Sequence, residues 1–317
     1  MNRNFNAETT TAQVIEGTDL SGKRAMVTGA SGGLGAETAR ALCDAGAEVT
    51  LAARDVEKAE GVAASIRTAQ PGARVAVAHL DLTSLDDIRQ CADRMLEAGD
   101  SLDLLINNAG VMACPLIRTG NGWELQLATN HIGHFLLTGR LLPALRAGSS
   151  ARIVNLSSAG HRLDSMHFED PHFEVREYDK WAAYGQSKTA NVLFSVELDR
   201  RLAEENVRAF AVHPGMIMTE LARHMQEKDF EDLVDRSGPT SGQLSFKSVE
   251  AGAATSVWAA TAPELEGRGG LYCEDCGVAP AKESDDSLQG FAEHAVDPEA
   301  ALQLWQRSEE WVNEGFL

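Results

Sequence analysis

Two side chains four residues apart, Tyr184 and Lys188, have the types and the spacing needed for proton transfer. On a helix this spacing places both on one face, so that an ammonium group lies beside a phenol. An adjacent positive charge favours the phenolate and moves a pKa that is ordinarily about 10 towards the working pH. A tyrosine tuned in this way can exchange a proton with a substrate oxygen. Taken alone, the pair is more typical of a solvated helix surface, so its meaning depends on the rest of the chain.

Phosphate binding is the chemistry predicted for a glycine-rich turn that reads TGASGGLG from Thr28 to Gly35. Such a turn between a strand and a helix brings backbone N–H groups against a pyrophosphate, and the helix dipole adds a favourable potential. A flexible glycine loop is the alternative, and the strand before and the helix after argue against it. The glycines at 29, 33 and 35 follow a Gly-x-x-x-Gly-x-Gly spacing, which differs from the commoner Gly-x-Gly-x-x-Gly.

The elements that must position these residues alternate along the chain, as short β-rich apolar runs and longer helical patterns. Strands are predicted at Ala25–Thr28, Val49–Ala53, Val75–Leu80, Leu102–Ile106, Ile153–Leu156 and Val207–Val212. A helical pattern covers residues 34–45, and Phe194, Leu198 and Leu202 form an i, i+4 ladder on a later helix. Strand–helix alternation with right-handed crossovers predicts an α/β fold, with a doubly wound parallel sheet of the Rossmann type.

The length of 317 residues is compatible with one α/β domain. We predict an N-terminal extension at residues 1–22 and a single dinucleotide-binding catalytic domain at residues 23–317. Hydrophobic residues make up 44% of the chain and charged residues 24%, which provides enough apolar mass for a large core. No regular helix or strand is predicted for residues 161–180 and 216–247. Long irregular segments in a compact domain are often functional, so we expect substrate loops there.

The charge balance restricts the partners. With 28 basic and 47 acidic side chains the net charge is −19, and no run of Lys and Arg interrupts the acidic background. Nucleic acid and anionic membrane surfaces are therefore not expected partners. The polar N-terminus has neither the layout of a signal peptide nor an apolar stretch of spanning length, so a cytoplasmic protein is expected. Five scattered cysteines, an odd number, indicate reduced thiols rather than a disulfide framework.

Further motifs follow the glycine turn in a fixed order. They are Asp81-Leu82, Asn107-Asn108-Ala109-Gly110, Asn130, Asn155-Leu156-Ser157-Ser158, Tyr184-x-x-x-Lys188 and Pro214-Gly215. With these motifs the chain resembles the short-chain dehydrogenase/reductase superfamily over residues 23–272. Residues 130–135 and 184–194 are most similar to its retinol-dehydrogenase and WW-domain-oxidoreductase branch. The resemblance changes the interpretation of the Tyr-x-x-x-Lys pair from a helix surface to an active site.

The resemblance implies an enzyme that moves a hydride between a nicotinamide cofactor and an alcohol or ketone. It gives Tyr184 the role of catalytic acid/base and Lys188 the added task of holding the nicotinamide ribose. It gives Ser158, rather than its neighbour Ser157, the role of hydrogen-bonding the substrate oxygen. Asn130 would bind a water in the proton relay to Lys188. The same side chain can also satisfy backbone groups within its helix.

Sixteen residues of the turn and the later motifs are predicted to bind the cofactor. They are Gly29, Ser31, Gly33, Leu34, Gly35, Arg54, Asp81, Leu82, Asn108, Ala109, Gly110, Tyr184, Lys188, Pro214, Gly215 and Thr219. The residues at the end of the second strand indicate whether the cofactor is NAD(H) or NADP(H). Relatives that prefer NAD usually place an acidic residue where Ala53 stands, to accept from the ribose 2′-hydroxyl. Arg54 instead offers a guanidinium suited to a 2′-phosphate, so NADP(H) is favoured over NAD(H). Asp55 is expected to cap the following helix.

Apolar side chains concentrate in the segments that flank the active site of the family. They are Met112, Met166, Phe168, Phe173, Met216, Ile217, Met218, Leu221 and Met225. Such a lining predicts a bulky apolar alcohol or ketone as substrate, although each residue could equally fill the core. Retinol dehydrogenases point the same way, but many of them carry a membrane segment that this sequence lacks.

No metal site is expected. Cys273 and Cys276 have metal-like spacing, but no second pair supplies the remaining ligands. We interpret His131 and His134 as packing residues. Solvent-exposed positions in a loop are expected for His161, His167 and His172.

Two other functions are compatible with a doubly wound fold. A dinucleotide-binding sensor or scaffold could have kept the fold without the chemistry, but the presence of Asn130, Ser158, Tyr184 and Lys188 together argues against it. A doubly wound methyltransferase would have no use for Tyr-x-x-x-Lys. Homo-oligomers are left open, since relatives often associate through the helix that carries Tyr184 and the insertion before that helix could block the surface.

Overall fold

The fold is built on one sheet. The computed structural model describes residues 4–99, 101–219, 221, 225–236, 246–282, 284 and 289–317. Within these residues, eight strands lie in the order β3-β2-β1-β4-β5-β6-β7-β8. The strands are β1 Arg24–Thr28, β2 Glu48–Ala53, β3 Val75–His79, β4 Leu104–Asn107, β5 Ala151–Leu156, β6 Val207–His213, β7 Leu271–Glu274 and β8 Gly277–Val278. Neighbours pair in parallel, except that β8 is antiparallel to β7. The predicted doubly wound α/β fold is confirmed.

Helices connect the strands. They are α1 Thr11–Ile15, α2 Gly33–Asp44, α3 Val56–Ala69, α4 Leu85–Glu97, α5 Leu125–Leu127, α6 Gly133–Ala147, α7 Lys180–Leu202, α8 Glu227–Arg236, α9 Val249–Thr261 and α10 Pro298–Val312. Short polar residues cap several of them. Asp55 accepts from Lys58 N at the start of α3, and Asp179 accepts from Trp181 N and Ala182 N at the start of α7.

The sheet is covered on both faces. One face packs against α4, α6, α7 and α10, and the other against α1, α2, α3 and α9. Strands β4 and β5 are buried along their whole length, which explains why β4 begins with a continuous apolar run rather than an alternating pattern. The polar residues of β5, Arg152 and Asn155, are buried with hydrogen-bond partners. The strand order reverses between β1 and β4. The loops at the carboxyl ends of these two strands diverge, and such a crevice is where doubly wound folds bind ligands.

The N-terminal extension packs on this core. Helix α1 contacts α2 and α9, and Val14 and Leu20 are buried in the same cluster as strand β1. The side chains of Thr11 and Arg40 both bond the carboxylate of Glu37 on α2. Residues from 4 onward therefore contribute to the packing of the glycine-turn helix.

The expectation of irregular structure across residues 216–247 is wrong for its middle, where α8 forms. The i, i+3, i+4 spacing of Phe230, Leu233 and Val234 was a signal for this helix that sequence reasoning missed. Contacts with distant parts of the chain also hold the helix. Asp229 pairs with Lys180, and Arg236 donates to both carboxylate oxygens of Asp179, at 3.1 and 2.8 Å. Residues 220, 222–224 and 237–245 of this segment lie outside the described part of the chain.

The insertion at residues 161–180 contains no regular helix or strand between Arg162 and the start of α7. It is nevertheless fixed by local bonds. Asp170 accepts from the backbone N–H groups of Glu174, Val175 and Arg176, at 2.7, 3.0 and 2.7 Å. The insertion is therefore fixed by hydrogen bonds, although it has no regular secondary structure.

Helix α10 packs against α7, the helix that carries Tyr184. Trp305 of α10 contacts Phe135 and Phe194, and the Arg201 guanidinium lies 4.4 Å from its ring centroid. The covering element on this side of α7 is therefore α10. In the described part of the chain, no helix combines the length and the apolar character needed to cross a bilayer.

Candidate active site

A cleft of about 990 Å³ opens at the carboxyl ends of the strands. It extends from the glycine turn, past the loops that follow β2, β3 and β4, to the start of α7 and the loop after β6. All sixteen residues predicted to bind the cofactor line it, and so does Ser158. The fold thus brings together motifs that are spread over 190 positions of sequence, from Gly29 to Thr219.

The glycine turn has the shape that a pyrophosphate requires. Gly29 has a φ of +66°, and a Cβ there would lie 2.8 Å from the Cα of Ala109. A Cβ on Gly35 would lie 2.5 Å from the carbonyl oxygen of Gly29. Helix α2 begins directly after Gly32, and no side chain caps its amino terminus. The first N–H groups of α2 therefore face the cleft without a side-chain partner, which suits a dinucleotide phosphate.

A hydrogen-bonded brace joins this turn to the loop after β4. The Thr28 hydroxyl oxygen accepts from the N–H groups of Asn108 and Ala109, at 2.9 and 3.0 Å, and Asn108 Nδ2 donates to Thr28 O at 2.7 Å. His134 Nε2 lies 2.8 Å from the same hydroxyl. Burial lowers the pKa of His134 to about 4, so its ring is neutral at ordinary pH. Asn108 therefore shapes the turn in addition to lining the cleft.

Tyr184 lies deep in the cleft, with 4% of its surface exposed. Its ring packs against Gly160, where a Cβ would lie 2.6 Å from Tyr184 Cε1. The expected fall of its pKa is wrong for this structure, in which burial raises the pKa of Tyr184 to about 12. The hydroxyl of Ser158 acts in the opposite direction, but its effect is smaller. The phenol is therefore protonated at neutral pH and is arranged to donate a hydrogen bond or a proton.

Lys188 lies on the same side of α7 as Tyr184, as the helical spacing predicted, and it also bonds a second element. Its Nζ lies 5.7 Å from the centroid of the Tyr184 ring and donates to the carbonyl oxygen of Leu156 at 2.9 Å. Asn191 Nδ2 donates to the same carbonyl at 2.9 Å. Burial lowers the pKa of Lys188 to about 8. The ammonium is therefore over the Tyr184 ring and is also bonded to the carbonyl at the end of β5.

Asn130 is brought close to this group but does not line the cleft. It lies in a π-helical turn, Ala128–Ile132, between α5 and α6. Its Oδ1 accepts from Val111 N at 2.8 Å, and its Nδ2 donates to Val111 O and to Ser187 Oγ, at 3.0 and 2.9 Å. Asn130 therefore satisfies backbone groups of the loop after β4 rather than those of its own helix. Only Gly110 separates it from the cleft, since a Cβ there would lie 3.1 Å from Asn130 Oδ1 and 3.7 Å from Lys188 Nζ.

The end of the cleft beside β2 is open to solvent. Arg54 and Lys58 are exposed and line it together with Ala53. Asp55 caps α3, as predicted, and accepts from Lys58 N at 2.9 Å. Sequence reasoning missed Lys58, whose Nζ would lie 3.8 Å from a Cβ on Gly32 of the phosphate turn. Its position four residues after Arg54, in the first turn of a capped helix, was the signal that could have identified it.

The opposite end of the cleft is apolar. Six of the nine predicted lining residues are there, namely Met112, Met216, Ile217, Met218, Leu221 and Met225. The prediction is wrong for the three from the insertion. Met166 and Phe168 belong to the main core, and Phe173 packs on Tyr178. These three side chains pack on the body of the protein. Their position shortly before Tyr184 in the sequence had instead suggested that they lie over the site. Leu163, Trp181 and Leu233 line the cleft and were missed.

Four of the five histidines considered from the sequence are buried, and the fifth, His167, is partly exposed and paired with Asp164. His131 and His134 are fully buried. The expectation of solvent-exposed loop histidines is wrong for His161 and His172, which are buried because the insertion folds inward. In the described residues, no group of three or more His, Cys, Asp or Glu side chains could hold a metal ion.

Comparison with known proteins agrees with this geometry. The family model described as short chain dehydrogenase matches residues 23–229. A probable oxidoreductase from Streptomyces lividans is 45% identical, over 94% of this chain and 100% of its own length. Human retinol dehydrogenase 13 is 41% identical, over 91% of this chain and 84% of its own length.

Solved structures agree as well. An uncharacterized protein from Mycobacterium paratuberculosis superposes with a TM-score of 0.74 at 33% identity, covering 98% of this chain and 99% of that one. The Pseudomonas aeruginosa RhlG/NADP complex gives a TM-score of 0.64 at 26% identity, covering 81% and 95%. The chain therefore belongs to the short-chain dehydrogenase/reductase superfamily, in its retinol-dehydrogenase-like branch, and is an oxidoreductase.

Proposed function

We propose that this oxidoreductase moves a hydride between NADP(H) and a bulky apolar alcohol or ketone, with Tyr184 as the catalytic acid/base. The observation that carries the proposal is the continuous cleft that connects the phosphate turn at Gly29 with the phenol of Tyr184. When bound, the nicotinamide dinucleotide supplies or accepts the hydride. The glycine turn and α2 would hold its pyrophosphate, and Lys188 its nicotinamide ribose.

Tyr184 and Ser158 would act on the reacting oxygen. With a pKa near 12, Tyr184 holds its proton at neutral pH and can give it from Oη to a carbonyl oxygen as hydride arrives at the carbon. In the reverse direction the deprotonated Oη takes the proton from the alcohol as hydride leaves the carbon. Ser158 Oγ would donate a hydrogen bond to the substrate oxygen and fix its position. Asn130 acts through Val111 and Gly110, which makes it a positioning residue in this scheme.

The cofactor preference rests on the open end of the cleft. Arg54 and Lys58 place two cations there, and Ala53 offers no carboxylate to accept from a 2′-hydroxyl. A 2′-phosphate brings nearly two negative charges into a protein of net charge −19, so local cations are needed to favour it. The structurally similar RhlG forms an active-site complex with NADP, which supports the same preference.

The substrate class rests on the apolar end. Six methionine, isoleucine and leucine side chains line it together with Trp181. Flexible thioethers and an indole suit a large apolar molecule whose shape the pocket follows by repacking.

The decisive experiment is a panel of aromatic and aliphatic alcohols and ketones, assayed with both nicotinamide cofactors by absorbance. We expect turnover to be highest with NADP(H) and the bulkier apolar members. Tight cofactor binding without turnover of any member would contradict the proposal and favour a dinucleotide-binding sensor.

A further inference from the structure

His161 is an imidazole next to the active site that the proposed chemistry does not use. It is fully buried in the short 3-10 turn Ala159–Arg162, which begins directly after Ser158. Its Nδ1 lies 2.6 Å from Ser158 O, and its Nε2 lies 3.0 Å from Ala292 N. A carbonyl oxygen only accepts and a backbone N–H only donates, so the protonation of both ring nitrogens is fixed. Nδ1–H donates to Ser158, and unprotonated Nε2 accepts from Ala292.

The surroundings keep this ring neutral. Burial is the main reason that its pKa falls to about 3, and Arg162, His294 and Lys282 act in the same direction. Tyr272 packs on one side, with ring centroids 4.9 Å apart. The neutral Nδ1–H form is therefore present throughout the ordinary pH range.

The backbone of His161 ties the same turn to two other elements. Its carbonyl oxygen accepts from Thr189 Oγ1 at 2.9 Å and from His294 Nε2 at 3.0 Å. Thr189 follows Lys188 on α7, and His294 belongs to the segment before α10. One residue thus connects the end of β5, the helix of Tyr184 and the C-terminal segment.

Ser158 takes part in several of these bonds. Its Oγ accepts from Gly160 N at 3.0 Å, a bond within the turn itself. Its carbonyl oxygen accepts twice from His161, from the backbone N–H at 3.0 Å and from the ring at 2.6 Å. The ring bond links the Ser158 carbonyl, through Nε2, to a segment 134 residues further along the chain, at Ala292. The N–H of the same peptide, that of Ala159, donates to His213 Nδ1 at 3.2 Å.

We propose that His161 is a positioning residue for Ser158: its Nδ1–H holds the peptide from which the catalytic hydroxyl projects. This inference rests on the proposed function, because it concerns the hydroxyl that meets the substrate oxygen. Displacement of a reacting group by about 1 Å can cost a hundredfold in rate. Loss of the ring bond should therefore lower kcat and leave the cofactor affinity unchanged, since His161 does not line the cleft.

Two conservative variants separate the two ring bonds. In His161→Asn the amide nitrogen can replace Nδ1 and still donate to Ser158, whereas in His161→Gln the longer amide can accept from Ala292 but no longer donates to Ser158. We expect kcat to fall about tenfold to a hundredfold in His161→Gln and to stay much closer to the parent in His161→Asn. KM for NADPH should remain within about twofold in both. Equal losses in the two variants, or no loss in His161→Gln, would overturn the inference.

A double-mutant cycle with Ser158→Ala distinguishes failure of this inference from failure of the proposed function. If His161 acts through Ser158, the double variant Ser158→Ala/His161→Gln should be no slower than Ser158→Ala alone. Turnover that survives in Ser158→Ala would contradict the proposed function itself. Additive losses would contradict only the positioning role.

A control and a spectroscopic measurement complete the test. Ser308→Ala removes a hydrogen bond of another buried imidazole, His131, whose Nε2 lies 2.8 Å from Ser308 Oγ. It should lower the melting temperature and leave kcat unchanged. Nitrogen NMR of the parent protein should show a protonated Nδ1 on His161. A protonated Nε2 would overturn the inference even if neither His161 variant folds.

Discussion

The two ends of the cleft are built in different ways. At the end beside β2, Arg54 lies just before the Asp55 cap of α3 and Lys58 lies in the first turn of that helix, and both are exposed cations. At the catalytic end, Tyr184 and Lys188 are buried, and desolvation moves both pKa values in the direction that disfavours charge. Exposed charges act through a solvent that screens them, so they adjust affinity by modest factors. Buried groups control the reaction itself, and holding them lowers the stability of the fold.

The largest effect is expected at the buried end. Tyr184→Phe keeps the ring and its packing on Gly160 but removes the transferable proton. Turnover should fall about 10²-fold to 10⁴-fold, while NADPH still binds. Steady-state rates and fluorescence titration of NADPH would measure the two properties separately. Activity within a few-fold of the parent would show that the buried phenol is not the acid/base.

A smaller effect is expected at the exposed end. Arg54→Ala removes one charge-assisted bond to a 2′-phosphate, worth about 1.5 to 3 kcal/mol. KM for NADPH should rise about tenfold to a hundredfold, with little change for NADH. Adding Ala53→Asp to this variant should shift the preference further towards NADH, because the new carboxylate repels the 2′-phosphate. Arg74→Ala is the control, since Arg74 is an exposed arginine that does not line the cleft.

Equal losses with NADPH and NADH in Arg54→Ala would indicate that Arg54 supports the fold or the adenine pocket. In that case, Arg54 would not recognise the 2′-phosphate, and the difference between the two ends of the cleft would not lie in cofactor preference. Lys58→Ala measures the contribution of the second cation in the same assay.

The stability cost of the buried end can be measured through Lys188. Its pKa falls from 10.5 to about 8, which corresponds to about 3 kcal/mol of destabilisation while the unfolded chain is charged. The unfolded state binds more protons between pH 8 and 10.5, so stability should rise with pH in that window. Lys188→Met should raise the free energy of unfolding at pH 7 by about 2 kcal/mol, after loss of the hydrogen bond to Leu156.

Chemical denaturation at pH 7 and pH 10 would check this. The advantage of Lys188→Met should shrink at the higher pH, and its turnover should be lost at both. Lys23→Met is the control, because Lys23 is partly exposed and paired with Asp103 at 2.9 Å. A lower stability of Lys188→Met at pH 7 would show that the Leu156 bond outweighs desolvation.

The smallest effect is expected where the apolar end meets solvent. Met218 lines the cleft but is 59% exposed, so Met218→Ala should change relative rates on the substrate panel by a few-fold without lowering the melting temperature. Val175→Ala is the control, at 92% exposure and outside the cleft. A lower melting temperature with unchanged relative rates would assign Met218 to packing.

Sequence patterns predicted the parts of the molecule that depend on near neighbours. All six predicted strands are present with bounds within two residues of those observed, because buried parallel strands have continuous apolar runs. Strands β7 and β8 were missed, at four and two residues, since such short pairs have little periodicity. Fourteen of the sixteen predicted cofactor residues line one cleft because they follow strands, and parallel strands end at the same edge of the sheet. The other two, Tyr184 and Lys188, reach the cleft from α7.

The sequence by itself determined the order of the elements, the phosphate turn and the residue types at the catalytic edge. Only the tertiary structure decided where Lys188 points, in which direction the pKa of Tyr184 moves and where the insertion lies. Lys188 binds Leu156 from a different element, and His161 reaches Ala292 across 131 positions. Propensity and spacing describe contacts within a few residues, whereas burial and hydrogen bonds between distant segments exist only once the chain has packed.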